Sequence, residues 1–143
     1  MKFRQYLTEL AIRKPRKRET FGISRDKMPQ IASADYPDLL RYLEAAGAKI
    51  QEETAPARKL KPIQAEFSDP GIVKSIKKSV LGTFKSIIVS KDYRVIDGHH
   101  RWLAMMNSNP GGTVPVVRVT NMTGKKLFAL ILKYPRVTFK AIY

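Results

Sequence analysis

Val95-Ile96-Asp97-Gly98-His99-His100-Arg101-Trp102 is the stretch whose reading decides the fold. A β-branched pair runs into an acid and a glycine. Two histidines and an arginine follow, and an apolar pattern of helical spacing then begins at Trp102, Leu103, Met105 and Met106. The reading is strand, tight turn, helix N-terminus. Such a junction aims backbone N–H groups and the positive end of a helix dipole at one spot. Two imidazoles and a guanidinium beside it make an anion site. Asp97 stands at its rim, where it can hold a divalent cation, orient a histidine or simply cap the helix.

Outward from this turn, Ser86–Ser90 and Tyr93–Ile96 read as a hairpin with Lys91-Asp92 as its turn. Asn109-Pro110-Gly111-Gly112 is a loop, and Val114–Val119 a further strand. Pro115 makes that strand an edge candidate or marks its first residues. Thr123 caps a helix over 124–133, stopped before Pro135. Val137–Tyr143 alternates like a last strand. Upstream, a helix over about 36–46 is capped by Asp35 or Ser33, with Pro37 in its first turn and Gly47 as its stop; Leu39, Leu40, Leu43 and Ala46 form its buried stripe. Residues 48–60 read as a strand with an irregular end. Lys61–Glu66 is a proline-bent loop, and Asp69-Pro70 opens a helix ending at Leu81-Gly82. Short strands mixed with helices, without a run of βαβ units, define an α+β chain.

Residues 1–34 are set apart as a basic N-terminal extension. Phe3, Tyr6, Leu7 and Leu10 outline a short amphipathic helix over 3–12. Arg13-Lys14-Pro15-Arg16-Lys17-Arg18 then places five positive charges in six residues. That run is either a phosphate-tracking arm or a solvated linker, and the basic remainder of the chain favours the arm. Residues 19–34 look extended, able to lay Phe21, Ile23, Met28 and Ile31 on the body formed by 35–143.

The chain of 143 residues carries a net charge of +15, and Asp97 is its last acidic residue. Residues 98–143 hold Arg101, Arg118, Lys125, Lys126, Lys133, Arg136 and Lys140 with no carboxylate side chain among them. So one-sided a distribution points to a polyanionic partner, most often nucleic acid. Lys125 and Lys126 join the 13–18 run as candidate DNA contacts. Cysteine is absent, which removes thiolate metal sites and cysteine nucleophiles and suits a cytoplasmic setting. The two histidines are adjacent, so a dispersed histidine zinc cluster is excluded. No apolar run approaches the ~20 residues of a membrane span, and the N-terminus does not read as a signal peptide.

At these residues the chain resembles the ParB/sulfiredoxin-like fold, in particular ParB-like nuclease-type domains with an Asp-Gly-His-His-Arg signature. The resemblance covers about residues 50–120. Its parts come in the family's order: Lys61-Pro62-Ile63-Gln64-Ala65-Glu66, a helix, the hairpin, then Asp97-Gly98-His99-His100-Arg101. It implies a small mixed sheet with flanking helices. It also implies that the turn contacts the phosphate of DNA or a nucleotide such as ATP, through Gly98, His99, His100 and Arg101. An acid of the earlier loop, here Glu66, is then the candidate base or metal ligand. Sulfiredoxin chemistry needs a cysteine in this turn and is out. Plasmid-partition proteins carry a different turn and a helix-turn-helix beyond it, so that role is disfavoured. Many small members resembling this chain look phage- or plasmid-encoded, which would place it in a host cytoplasm.

Read as chemistry, the site is built for phosphoryl transfer or hydrolysis, where fixed donors and a cation dominate. His99, His100 and Arg101 are the candidate donors, one histidine serving as general acid. Glu66 and Asp97 are the candidate ligands for Mg²⁺ or Mn²⁺, and Gln64 orients the nucleophile. Since neighbouring helical positions face different ways, one of the two histidines is expected to point out of the site. Three functions fit: a DNA-binding nuclease or nicking enzyme, a nucleotide-dependent kinase or ATPase, and an inert DNA-binding or virion protein. The oligomeric state is not readable from these residues.

Overall fold

Apolar residues on both faces of the central strands set the sheet. The computed structural model describes residues 15, 17–64 and 86–139. Its five strands are β1 (Ile50–Pro56), β2 (Lys61–Pro62), β3 (Ile87–Val89), β4 (Arg94–Asp97) and β5 (Thr113–Val119), in the order β1-β5-β3-β4-β2. The β1–β5 and β3–β4 pairs are antiparallel; β5–β3 and β4–β2 are parallel. Three α-helices stand among the described residues: α1 (Tyr36–Ala45), α2 (His99–Ser108) and α3 (Gly124–Leu132). The α+β class expected from the sequence is what the chain adopts.

β3 lies between two neighbours and is buried on both faces, so its Ile-Ile-Val run shows no alternation. Successive side chains still go to opposite sides. Ile87, Val89, Val95, Val114 and Val116 pack with Trp102, Leu103 and Ala104 of α2. Ile88, Ile96, Val117 and Val119 pack with Leu39 and Leu43 of α1 and with Leu127 and Ile131 of α3. Among the described residues, one helix thus covers one face and two cover the other. Each of these valines, leucines and isoleucines contributes about 1.5–3 kcal/mol by leaving water. The Trp102 indole N–H donates to the Ala57 carbonyl at 2.8 Å, tying α2 to the single 3-10 turn Ala57–Lys59 that follows β1.

The extended segment after residue 19 lies on the body as its apolar residues anticipate. Met28 and Ile31 are buried in the α1–α3 layer, with Phe21 and Ile23 against it. Phe21 N–H donates to the Ile63 carbonyl at 3.1 Å. Gln30 and Thr138 exchange two backbone hydrogen bonds, 2.7 and 3.1 Å, so the C-terminal tail closes over this segment.

Several local expectations change. Lys61-Pro62 is not loop but β2, an edge strand, where proline is tolerated. β5 is an interior strand. Pro115 faces Thr54 among the strand's first residues, one before pairing with β3 begins at Val116. Asp35 makes no side-chain cap; its carboxylate accepts from Arg136 at 3.2 Å instead. Ala46 is exposed, and half-buried Tyr42 takes its place in the stripe, donating to the Leu130 carbonyl at 3.0 Å. Gly47, at φ 98°, ends α1, and Thr123 Oγ1 caps α3 by accepting from Lys126 N–H. The helices expected over 3–12 and 70–81 lie outside the described residues.

Met28 is 1% exposed. Met28→Ala should therefore lower unfolding free energy by about 2–5 kcal/mol, as for a mid-core position. Urea denaturation checks this; a change near zero would mean that the segment is appended to the fold and not part of it.

Candidate functional site

β4 and β2 run parallel, so their C-terminal ends emerge side by side. Ile63 and Gln64 leave one strand, and Asp97-Gly98-His99 leaves the other. Gly98 turns the chain from β4 into α2 at φ 103°. A Cβ there would come within 2.8 Å of Arg101 Nη2 and 3.1 Å of Ile87 Cγ1. The dihedral requires glycine, and a Cβ would push Arg101 from its place over the turn.

His99 is the inward-facing histidine, 4% exposed. Its Nε2 accepts the backbone N–H groups of Ile63 at 3.1 Å and Gln64 at 3.3 Å. An accepting Nε2 places the proton on Nδ1. Burial pushes the imidazole pKa down to about 3, with the positive charges of His100 and Arg101 adding to the effect. His99 is therefore a neutral acceptor that ties the end of β2 to the start of α2. Nε2, engaged by these two amides, does not donate to a phosphate; the ring's proton is on Nδ1. Gln64 is itself buried, and a backbone bridge joins it to Ile23.

Arg101 folds back over Gly98. Its Nη2 donates to Asp97 Oδ2 at 2.8 Å and to the Tyr36 hydroxyl at 3.1 Å, while that hydroxyl donates to the same carboxylate oxygen. Burial pushes the Asp97 carboxyl above its ordinary range, and Arg101 pulls it part of the way back. A divalent cation on this carboxylate would face a guanidinium bonded to the same oxygen. Asp97 thus fits the role of anchor for Arg101 and not that of a Mg²⁺ or Mn²⁺ ligand, and it makes no helix cap. Among the described residues no group of three or more His, Asp or Glu could hold a metal. Glu66, the other candidate ligand, lies outside the described residues.

His100 is half-buried in the first turn of α2, beside this cluster. Among the candidate DNA contacts, Arg18, Lys125 and Lys126 are exposed, the last two in the first turn of α3. Lys17 opens the 3-10 turn Lys17–Glu19. Arg13, Lys14 and Arg16 lie outside the described residues. Tyr36 is the site residue that sequence reasoning missed. It stands 61 residues before Asp97, and no short-range pattern connects them. No family model, no curated protein and no solved structure matches this chain.

The His99 geometry has a consequence in pH. An unfolded imidazole takes a proton near 6.5, whereas the folded one resists until about 3. Between those values the unfolded chain binds more protons, so stability falls as pH falls. Asp97, with its raised pKa, opposes this just above its ordinary range. His99→Gln keeps an acceptor and removes the titration. The variant should show a flatter decline in melting temperature between about pH 6.5 and 4 than the parent. Equal slopes would contradict the buried neutral imidazole.

Proposed function

We propose that this chain is a DNA-binding protein built on the ParB-like plan, in which the 97–101 turn organises the site and the acid-free half of the chain supplies phosphate affinity. The carrying observation is how charge is distributed over the fold. The acids Asp35, Asp38 and Glu44 gather at α1, and Glu52 and Glu53 on β1. Asp97 neutralises Arg101 at 2.8 Å. Lys125, Lys126 and Lys133 stay exposed on and just after α3 and form no ion pair among the described residues; Asp92, at the start of α3, accepts from Gly124 N–H and the Ser90 hydroxyl. Uncompensated cations of this kind track a phosphate backbone and release counterions on binding.

Phosphodiester cleavage is the second reading. It is favoured by the His99 contact, which pins the Gln64 loop directly against the Asp-Gly-His-His-Arg turn. In that reading His100 protonates the leaving oxygen, Glu66 activates water and Gln64 orients it. Nucleotide-driven phosphotransfer uses the same groups with ATP in place of DNA.

Fluorescence anisotropy with labelled DNA across a salt series tests the proposal. Binding should weaken steeply with salt, the logarithmic slope falling by about 0.9 for each phosphate contacted. Lys125→Gln with Lys126→Gln should weaken it at every DNA sequence. Absence of binding at low salt would overturn the proposal. Nicking of supercoiled plasmid that His100→Ala abolishes, with binding retained, would establish the second reading.

A further inference from the structure

Tyr93 is the sole described residue other than glycine with a positive φ, 60°. It closes the β3–β4 hairpin: its N–H donates to the Ser90 carbonyl at 3.0 Å, and Ser90 N–H donates to the Arg94 carbonyl at 3.0 Å. A three-residue loop of this kind ends in a left-handed residue, a position that favours glycine. A tyrosine there is strained, and a strained residue that persists is held by its surroundings. Lys59 Nζ stands 4.2 Å from the ring centroid and Arg118 Cζ 4.3 Å from it. The hydroxyl donates to Glu53 Oε1 at 2.9 Å.

A second irregularity touches the first. Arg118 Nη2 donates to the Lys91 carbonyl at 2.8 Å, and Nη1 lies 3.8 Å from Glu53 Oε1. Its buried Nε–H has no acceptor among the described residues. A buried donor without a partner is destabilising, so this guanidinium rests in a pose that leaves bonding capacity unused. Exposed Lys61 joins the group through its backbone N–H, which donates to the Tyr93 carbonyl at 2.9 Å. Lys59 and Lys91 are exposed as well. Against these four cations stands Glu53, already shared between Tyr93 and Arg118. Asp92 is the nearby alternative counter-charge, but its carboxylate accepts from the Ser90 hydroxyl and from Gly124 N–H.

We propose that the Lys59–Tyr93–Arg118 cluster, flanked by Lys61 and Lys91, is a second grip on the DNA phosphate backbone. It lies at the opposite end of β4 from the 97–101 turn, about 13 Å along the strand. The proposal rests on the DNA-binding reading and adds the place where the backbone is held. Tyr93 acts as a platform: its ring holds both the Lys59 ammonium and the Arg118 guanidinium. The ring is engaged by cations, so the surface reads phosphate and not bases. A phosphate that draws the Arg118 guanidinium outward gives Nε the acceptor it lacks in its buried pose.

The test uses the full chain with labelled duplex and single-stranded DNA over a salt series. Lys59→Gln with Arg118→Gln should weaken binding about 10- to 100-fold in the DNA form that the parent binds. It should also make the logarithmic salt slope shallower by about 2. Lys59→Gln with Lys61→Gln, both on exposed side chains, carries the same expectation should loss of Arg118 unfold the chain. The Arg118 Nε–H resonance should shift on adding DNA. Parent-like affinity and slope in both double variants, with the parent binding DNA, would overturn this inference alone. A parent chain that binds neither DNA form would overturn the DNA-binding reading and this inference with it.

Discussion

One imidazole nitrogen that accepts two backbone N–H groups holds this structure's candidate site together. β2 is only two residues long and lies at the sheet edge, so its pairing with β4 is slight. What fixes the chain beyond it is His99 Nε2, which gathers the Ile63 and Gln64 amides onto the first residue of α2. Buried amides must be satisfied, and the β2–β4 pairing ends at Pro62, so these two amides turn to the imidazole. The imidazole substitutes for the missing ladder. The same bonds keep it neutral, since a proton on Nε2 would displace both of them.

The cluster on the other side of the turn follows from this constraint. With His99 turned inward, Arg101 folds back across Gly98, where only a hydrogen leaves room for it. Asp97 and Tyr36 receive it there. Two of the five residues in the Asp-Gly-His-His-Arg stretch thus neutralise each other, and a third is an uncharged acceptor. The motif's visible charge overstates what it can offer a ligand. The cationic surface elsewhere, on α3 and around Tyr93, is less conspicuous in sequence and less compensated in the fold.

Much of this was legible in residue order. The β-branched runs at 87–89 and 114–119, the Gly47 stop, the Thr123 cap and the strand–glycine–helix junction all rest on local chemistry. They appear where local chemistry puts them. The pairing of Lys61-Pro62 with β4 was not legible, because a two-residue strand has no period and proline argues for a loop. Nor was Tyr36, whose role depends on α1 ending its approach beside β4. The direction of His99 was half legible: helical spacing requires the two histidines to diverge, but only the position of the Ile63–Gln64 amides decides which one turns in. The strain at Tyr93 arises from loop length, which a hairpin reading with a two-residue turn conceals.

The most direct test of the account is the protonation state and tautomer of His99, read from ¹⁵N-labelled imidazole resonances across a pH series. The account predicts a neutral ring protonated at Nδ1, with Nε2 as acceptor, persisting from neutral pH down to at least about pH 4. A ring that titrates near its ordinary value, or that carries its proton on Nε2, would contradict it.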